Sequence, residues 1–532
     1  MKVAYIFPPP WDPKHPPYTL ALFAGITRAN DHEFFGFDLN VDLYNAASQE
    51  DKLLWNGECA FRWITESDRI VERYAEYLNK YIADMLRLDA PLYAIYVAGV
   101  SKNFSFWLSR TIKSHNPKCR VILGGPQCFP AYDGMKILCE PSVDAICTGE
   151  ADLIWKLVLD NFANNSNFHI KVPGIAYKMR DGTIMGGGVP ELVTDLDAIP
   201  FADYSSVDLS KYSGFRLATM ASRGCINTCA FCSEKPNFLK YRYRSAENVL
   251  EEIKTHLTVL QQEGHIGKNK QSVFGSILGR LIWVAIQSKS IGSGKIYSFL
   301  KRIYRSAINR SQTGKHGGAM GVIVCAAVKV KQQQIPYMAF NDSLINGIPR
   351  ELSKFCDLVI DSGIKFNWGG MGLLRKEMNP ELLAKMHKAG CYNISWGLET
   401  GSQDVIGLMQ KRLYTMDLAK AIISNTYKSG IKQNCSLIVG FPGETEEMFE
   451  ETIQFVREFS KYFDSMSAQP MMIVRNSTVY DHCEDFDIDK ENSDKYLEWE
   501  TRDGKLDYAT RLKRLNKLES LLNNKLIVTE HE

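Results

Sequence analysis

Nowhere along these 532 residues does an apolar run approach the roughly 18 needed to cross a bilayer, so no membrane-spanning helix is expected. The start, Met1 to Phe7 followed by Pro8-Pro9-Pro10, is too short in apolar residues for a secretory leader, and a cytoplasmic protein is expected. A surplus of one charge is missing as well. The formal net charge is +2, which gives no global pull toward nucleic acid, and none is expected as a partner. There is no disulfide framework to read either: thirteen cysteines in a chain with no export signal belong to a reducing compartment. Ten of them are scattered singly and are expected as small buried hydrophobes. Three are close-set.

What is present is alternation. Strand-like runs at Val3–Phe7, within His32–Tyr44, and at Tyr93–Val100, Arg120–Leu123 and Val143–Thr148 are separated by helix-compatible segments such as Phe104–Ser114. This pattern predicts an α/β domain over residues 1–160, a doubly wound, Rossmann-like parallel sheet whose ligands sit beyond the carboxyl ends of its strands. A connector is expected over 161–215. From Arg216 to about 480, strands at Leu217–Ser222, Pro336–Phe340, Phe366–Trp368, Asn393–Leu398, Gln433–Val439 and Ser465–Ile473 alternate with helices, three of which end at Gly363, Gly390 and Gly430. Six such units are too few for a closed eight-fold barrel and predict a partial (β/α)6 TIM-type barrel, with chemistry at the carboxyl ends. Leu512, Leu515, Leu518, Leu521 and Leu522 have helical spacing, so a small helical element is expected within 481–532.

One segment breaks the rhythm. Between Glu263 and Asp342 there is no acidic residue but there are twelve Lys or Arg, which marks 264–334 as a basic insertion. It reads as a solvated excursion, or as a basic amphipathic hairpin that touches a membrane surface or an anionic partner.

Arg223-Gly224-Cys225-Ile226-Asn227-Thr228-Cys229-Ala230-Phe231-Cys232 places three thiols on one loop, directly after the first barrel strand. Thiolates are the preferred ligands of iron–sulfur iron, and one loop can hold three corners of a cubane. A tetrahedral zinc site would want a fourth Cys or His nearby, and none lies within twenty residues on either side. One iron would stay open to an outside chelator.

The C-x3-C-x2-C spacing with an aromatic before the last Cys resembles the radical SAM superfamily. The resemblance implies a [4Fe–4S] cluster on Cys225, Cys229 and Cys232, whose open iron is chelated by S-adenosylmethionine. One electron, from an external donor of the flavodoxin or ferredoxin type, then breaks the S–C5′ bond to give a 5′-deoxyadenosyl radical. By the same resemblance Phe231 packs near the cluster, and Glu399 and Ser402 of Gly397-Leu398-Glu399-Thr400-Gly401-Ser402 contact the ribose and carboxylate. Gly440, in Ser436-Leu437-Ile438-Val439-Gly440-Phe441-Pro442-Gly443-Glu444, approaches the adenine. At Asn341-Asp342, where relatives carry a pair for the methionine amino group, Asp342 is favoured over Asn341.

A doubly wound domain ahead of such a barrel is similar to the cobalamin-binding subgroup. That resemblance implies cobalamin contacts from Ser101, Gly124, Gly125 and Glu150, which lie at strand ends. An Asp-x-His-x-x-Gly string is absent, so cobalt would lack a protein His. Methylation of an unactivated carbon is preferred. Cobalamin-assisted cyclisation or rearrangement without methyl transfer is the alternative, and a non-catalytic cobalamin or redox sensor is the alternative of another class. A methylthiotransferase would need a second set of spaced cysteines, which Cys119, Cys128, Cys139 and Cys147 do not supply. The expected substrate is a small molecule or lipid-like compound between the two domains, and no catalytic acid or base is assigned.

Overall fold

The computed structural model describes residues 1–56, 59–130, 132–165, 172–179, 181–188, 191–214, 216–262, 264 and 335–522, and so the expectation for 264–334 lies, but for residue 264, outside the described residues. Residues 1–256 and 337–532 form one compact unit; 257–336 form a second.

The first sheet begins with β1 (Lys2–Phe7), in which only the first side chain is exposed; a strand buried on both faces suits the middle of a parallel sheet. Its neighbours are β2 (Glu33–Asp38) and β3 (Leu92–Tyr96), followed outward by β4 (Arg120–Gly124) and β5 (Ala145–Cys147). The order β2-β1-β3-β4-β5, parallel throughout, reverses direction between β1 and β3, and the crevice at that reversal is where such sheets hold ligands. Two further strands, β6 (Ile175–Lys178) and β7 (Ile184–Gly186), add antiparallel to β5. Spacing does not reveal them because β7 is exposed along its length and ends in glycines. Gly186 and Gly187 have φ of 79° and 96°, and a Cβ on Gly186 would lie 2.3 Å from the Ile175 carbonyl. Between β2 and β3 the chain also forms helices at Ser67–Arg73 and Ala75–Leu86.

The second sheet runs in sequence order through β8 (Arg216–Thr219), β11 (Tyr337–Phe340), β12 (Asn367–Gly372), β13 (Cys391–Glu399), β14 (Lys432–Val439) and β15 (Ser465–Pro470), all parallel. The first and last strands are edges, so the barrel is partial, as six units require. A short hairpin, β9 (Ser222–Arg223) with β10 (Arg242–Tyr243), follows β8. The helices start where their caps lie. Asn379, Thr415 and Thr445 accept from the backbone N–H groups of Leu382, Leu418 and Met448. They stop before Gly363, Gly390 and Gly430, whose φ values of 68°, 91° and 80° are open to glycine without steric cost. Strand β12 continues to Gly372 past the expected end at Trp368. Its glycines are not a turn: a Cβ at Gly369 would sit 2.3 Å from the Tyr337 hydroxyl.

The C-terminal helix, Tyr508–Leu522, buries Arg511, Arg514, Leu518 and Leu522 and leaves Leu521 exposed. The arginines displace the expected leucine stripe because they have specific work. Arg511 stacks 3.7 Å from the Trp499 ring and donates to the carbonyls of Leu497 and Trp499. Among the described residues, no helix is long and apolar enough to cross a membrane.

Candidate functional site

The cysteine loop is set by groups at the mouth of the barrel. Strand β8 ends at Thr219, whose hydroxyl donates to the buried Glu252 at 2.7 Å. Glu252 is also held by Arg244 and by the Ala202 N–H. The chain then turns on Asp342, which accepts from the Ala221 N–H at 3.0 Å and from the Ser222 hydroxyl. At Gly224 φ is 78°, and a Cβ would meet the Lys240 carbonyl at 2.8 Å, so the corner before Cys225 needs glycine.

Cys225, Cys229 and Cys232 are all partly exposed and line one cavity of about 330 Å³, together with Asn227, Thr228, Glu234, Leu239 and Thr478. Among the described residues, no three His, Cys, Asp or Glu side chains converge on a single-ion point. The thiols stand around a space instead, an arrangement that suits a multi-iron cluster. The backbone N–H of Asn227 points at the Cys225 sulfur (3.5 Å), and that of Glu234 at the Cys232 sulfur (3.4 Å). Both would favour thiolate. Burial pushes all three thiols up, Cys229 to about 12, so ligation must supply the drive for deprotonation.

Near the thiols, at the end of β13, is Glu399, a non-glycine residue at φ 67°, where the register with β14 shifts. A left-handed conformation costs a side chain roughly 1–2 kcal/mol, and such strain gathers at working sites. Its carboxylate is held at 2.7 Å by Lys411, which is 2% exposed. Spacing gives no hint of Lys411. Its charge nonetheless acts on Cys225 and Cys229, while that of Glu399 acts on Cys229 and Cys232.

The rest of that loop is internal. Thr400 and Thr452 share a hydroxyl contact of 3.0 Å, and a Cβ on Gly401 would strike Phe455 at 2.5 Å. Ser402 is fully enclosed and its hydroxyl has no partner, which does not favour the expected ligand contact. Gly440 also differs from expectation. With φ of 77°, its missing Cβ is replaced by the Arg511 side chain, whose Cγ would lie 2.4 Å away. On the side of the missing Cβ, the close approach that its glycine permits is to the C-terminal helix. Phe231 is partly buried and packs against the apolar cluster that includes Ala230, Val405, Met409 and Phe441.

Asp342 requires a correction too. It is 3% exposed and committed to Ala221 and Ser222, whereas its neighbours Asn341 and Ser343 are exposed and line the cavity described next. Asp342 lies just past the end of β11, where the Ala221 N–H and the Ser222 hydroxyl hold it inward. Burial raises its carboxyl from 3.8 to about 7, and burial likewise raises Glu444 to about 7 against the pull of Arg514. A folded pKa above the unfolded one gives stability that is full below about pH 4 and lost as pH rises through about 7. The wild type should therefore lose thermal stability from pH 6 to pH 8, and Asp342→Asn should flatten part of that fall, Glu444 keeping the rest. Equal responses of the two proteins over this step would contradict the assignment.

A second, largely apolar cavity of about 270 Å³ opens where the ends of β3, β4 and β5 face the mouth of the barrel. Tyr5, Phe23, Tyr96, Phe129, Trp155 and Phe238 provide much of its wall. Gly124 and Gly125 both line it. A Cβ on Gly125 (φ 120°) would strike the Val97 carbonyl at 2.6 Å, whereas one on Gly124 would meet only Cys147 at 3.8 Å, which leaves the Gly124 surface open to a ligand. Ser101 is not on this wall: its hydroxyl is spent on the N–H and carbonyl of Ala98. Glu150 is on the wall, but both oxygens are taken by Arg242 at 2.5 and 2.7 Å. Beside it Asp152 receives both terminal nitrogens of Arg223, at 2.6 and 2.7 Å. Asp152, Arg223, Arg242 and Lys411 are the functional-looking residues that spacing did not single out. An acidic pair in Gly149-Glu150-Ala151-Asp152 and an arginine two residues before the first cysteine were the available signs.

Comparison with known proteins agrees with this geometry. Residues 350–456 match the model of the radical SAM superfamily. An uncharacterised methyltransferase of Pyrococcus horikoshii is 22% identical over 388 residues, 72% of this chain and 66% of the relative. The anaerobic magnesium-protoporphyrin IX monomethyl ester cyclase of Rubrivivax gelatinosus is 23% identical, over 65% of this chain and 50% of its own. The chain thus spans between half and two thirds of the length of these curated relatives. Among solved structures, the cobalamin-dependent radical enzyme OxsB superposes with a TM-score of 0.61 at 14% identity, covering 98% of this chain and 66% of OxsB. The methyltransferase TsrM of Kitasatospora setae superposes with 0.57 at 11%, covering 91% of this chain and 75% of TsrM. Residues 350–456 thus carry the radical SAM match, and the two-sheet fold of the chain is the one seen in these two solved structures.

Proposed function

We propose that this chain is a cobalamin-dependent radical SAM enzyme that methylates an unactivated carbon of a small or lipid-like substrate. The observation that carries the proposal is the placement of three thiols around one cavity, with the Glu399–Lys411 pair near enough for its charges to act on them and an apolar cavity alongside. Cys225, Cys229 and Cys232 would hold the [4Fe–4S] cluster. Glu399 accepts without donating, which suits the vicinal hydroxyls of a ribose, and Lys411 supplies the cation for a carboxylate. The cavity under Gly124 would hold the tail of cobalamin, and its aromatic wall excludes water. When bound, these groups supply one-electron cleavage of S-adenosylmethionine and a transferable methyl group. The chain's own part is to aim them at one another and keep the junction dry.

The relatives' names favour methyl transfer and ring cyclisation about equally. The products separate the two. Anaerobic protein supplied with hydroxocobalamin, reduced flavodoxin, S-adenosylmethionine and candidate substrates should yield methylated product with both S-adenosylhomocysteine and 5′-deoxyadenosine. Substrate conversion with 5′-deoxyadenosine alone would move the assignment to cyclisation. A preparation that makes no 5′-deoxyadenosine under any reductant would be a sensor instead.

A further inference from the structure

Four charged side chains, each no more than 10% exposed, meet between the two sheets: Glu150 and Asp152 from the loop after β5, and Arg223 and Arg242 from the hairpin after β8. The pairs are fork to fork. Arg223 grips both oxygens of Asp152 and reaches Glu150 at 3.4 Å; Arg242 grips both oxygens of Glu150 and donates to the Val193 carbonyl at 2.8 Å. The two arginines are cross-strand partners in the hairpin, so neither can shift alone. Burial alone would raise the Asp152 carboxyl, yet Arg223 holds it below its usual range.

Such a network is a poor way to gain stability, since apolar residues of similar volume usually do as well. What it provides is register. Asp152 opens the helix Asp152–Asn165, and with Glu150 it belongs to the wall of the apolar cavity. Arg223 is two residues from Cys225, joined to it through the constrained Gly224. A movement of either loop is thus transmitted to the other through these two bidentate contacts, of which the Arg223 one lies nearer the thiols.

We infer that Arg223 is a positioning residue that couples the two cofactor sites: ordering of the thiol loop by its cluster tightens cobalamin in the cavity, and cobalamin stabilises the loaded thiol loop. This rests on the function proposed above. By linkage the two effects are equal, and couplings of this kind amount to about 5- to 150-fold in affinity.

The test uses the full chain and two probes, hydroxocobalamin and iron with sulfide. Hydroxocobalamin affinity is measured spectroscopically on anaerobic protein before and after cluster reconstitution. The wild type should bind it at least about fivefold more tightly once reconstituted. In Asp152→Asn, which keeps the shape but removes one charge of the bridge, that ratio should fall toward one while iron loading persists. The exchanged pair Arg223→Asp with Asp152→Arg should recover part of the ratio, and Arg223→Lys, lacking the fork, should not, which guards against a variant that simply unfolds. A wild-type ratio of one, or an unchanged ratio in both Asp152→Asn and Arg223→Lys, overturns the coupling alone. No binding of hydroxocobalamin to reconstituted wild type overturns the cobalamin assignment together with it.

Discussion

Replacing any one of Cys225, Cys229 and Cys232 by alanine is expected to reduce the iron of the anaerobically reconstituted protein from about four per chain to near zero. S-adenosylmethionine cleavage should vanish with it. Among the described residues the three thiols are the only sulfurs lining the cavity, so a cubane deprived of one ligand keeps two protein bonds and two open irons. The fold should survive. These side chains sit on a cavity wall and accept only weak backbone contacts at 3.4–3.5 Å, so circular dichroism and the thermal midpoint of the apoprotein should barely change. Iron content and charge-transfer absorption, measured beside the circular dichroism, separate loss of the cluster from loss of the fold. Unchanged iron in all three variants, or zinc in place of iron in the wild type, would remove the basis of the proposed chemistry.

The second large effect is expected at Lys411. Its ammonium is 2% exposed and its partner Glu399 15%, so Lys411→Met leaves a carboxylate enclosed with no counterion. Breaking a buried pair from one side costs about 3–5 kcal/mol, and the partial exposure of Glu399 lowers the cost here. Denaturant unfolding of the apoprotein should show a loss at the lower end of that range. The double variant Lys411→Met with Glu399→Gln should regain most of it, because two neutral groups can share the site. Affinity for S-adenosylmethionine should fall in both variants, as neither keeps the pair of charges near the thiols. A double variant no more stable than Lys411→Met would mean that the pair is not the source of the loss.

The six barrel strands, their helices and the five parallel strands of the first sheet are legible in the chain because their signals are local. Proline or an N-cap begins a barrel helix, glycine ends it, and buried runs of four to eight residues mark the strands. The pair β6 and β7 is not legible, since an exposed, glycine-flanked strand carries no periodicity of its own. The same division holds at the site. The thiols sit on one loop and identify themselves by spacing. Asp342 and Asn341, by contrast, are neighbours in the loop after β11, and only contacts with Ala221 and Ser222, some 120 positions away, turn one inward and leave the other exposed.

From the sequence alone came the order of the elements, the two sheets, and a loop of three thiols with no fourth donor near it, all consequences of spacings within some thirty residues. The tertiary structure decided which charges meet: Arg223 with Asp152, 71 positions apart, Arg242 with Glu150, 92 apart, and Arg511 against Gly440. It also decided that Asp342 and Ser402 turn inward. Contacts of that kind depend on how two sheets pack and on the register of their strands, and chain-local periodicity carries no record of either.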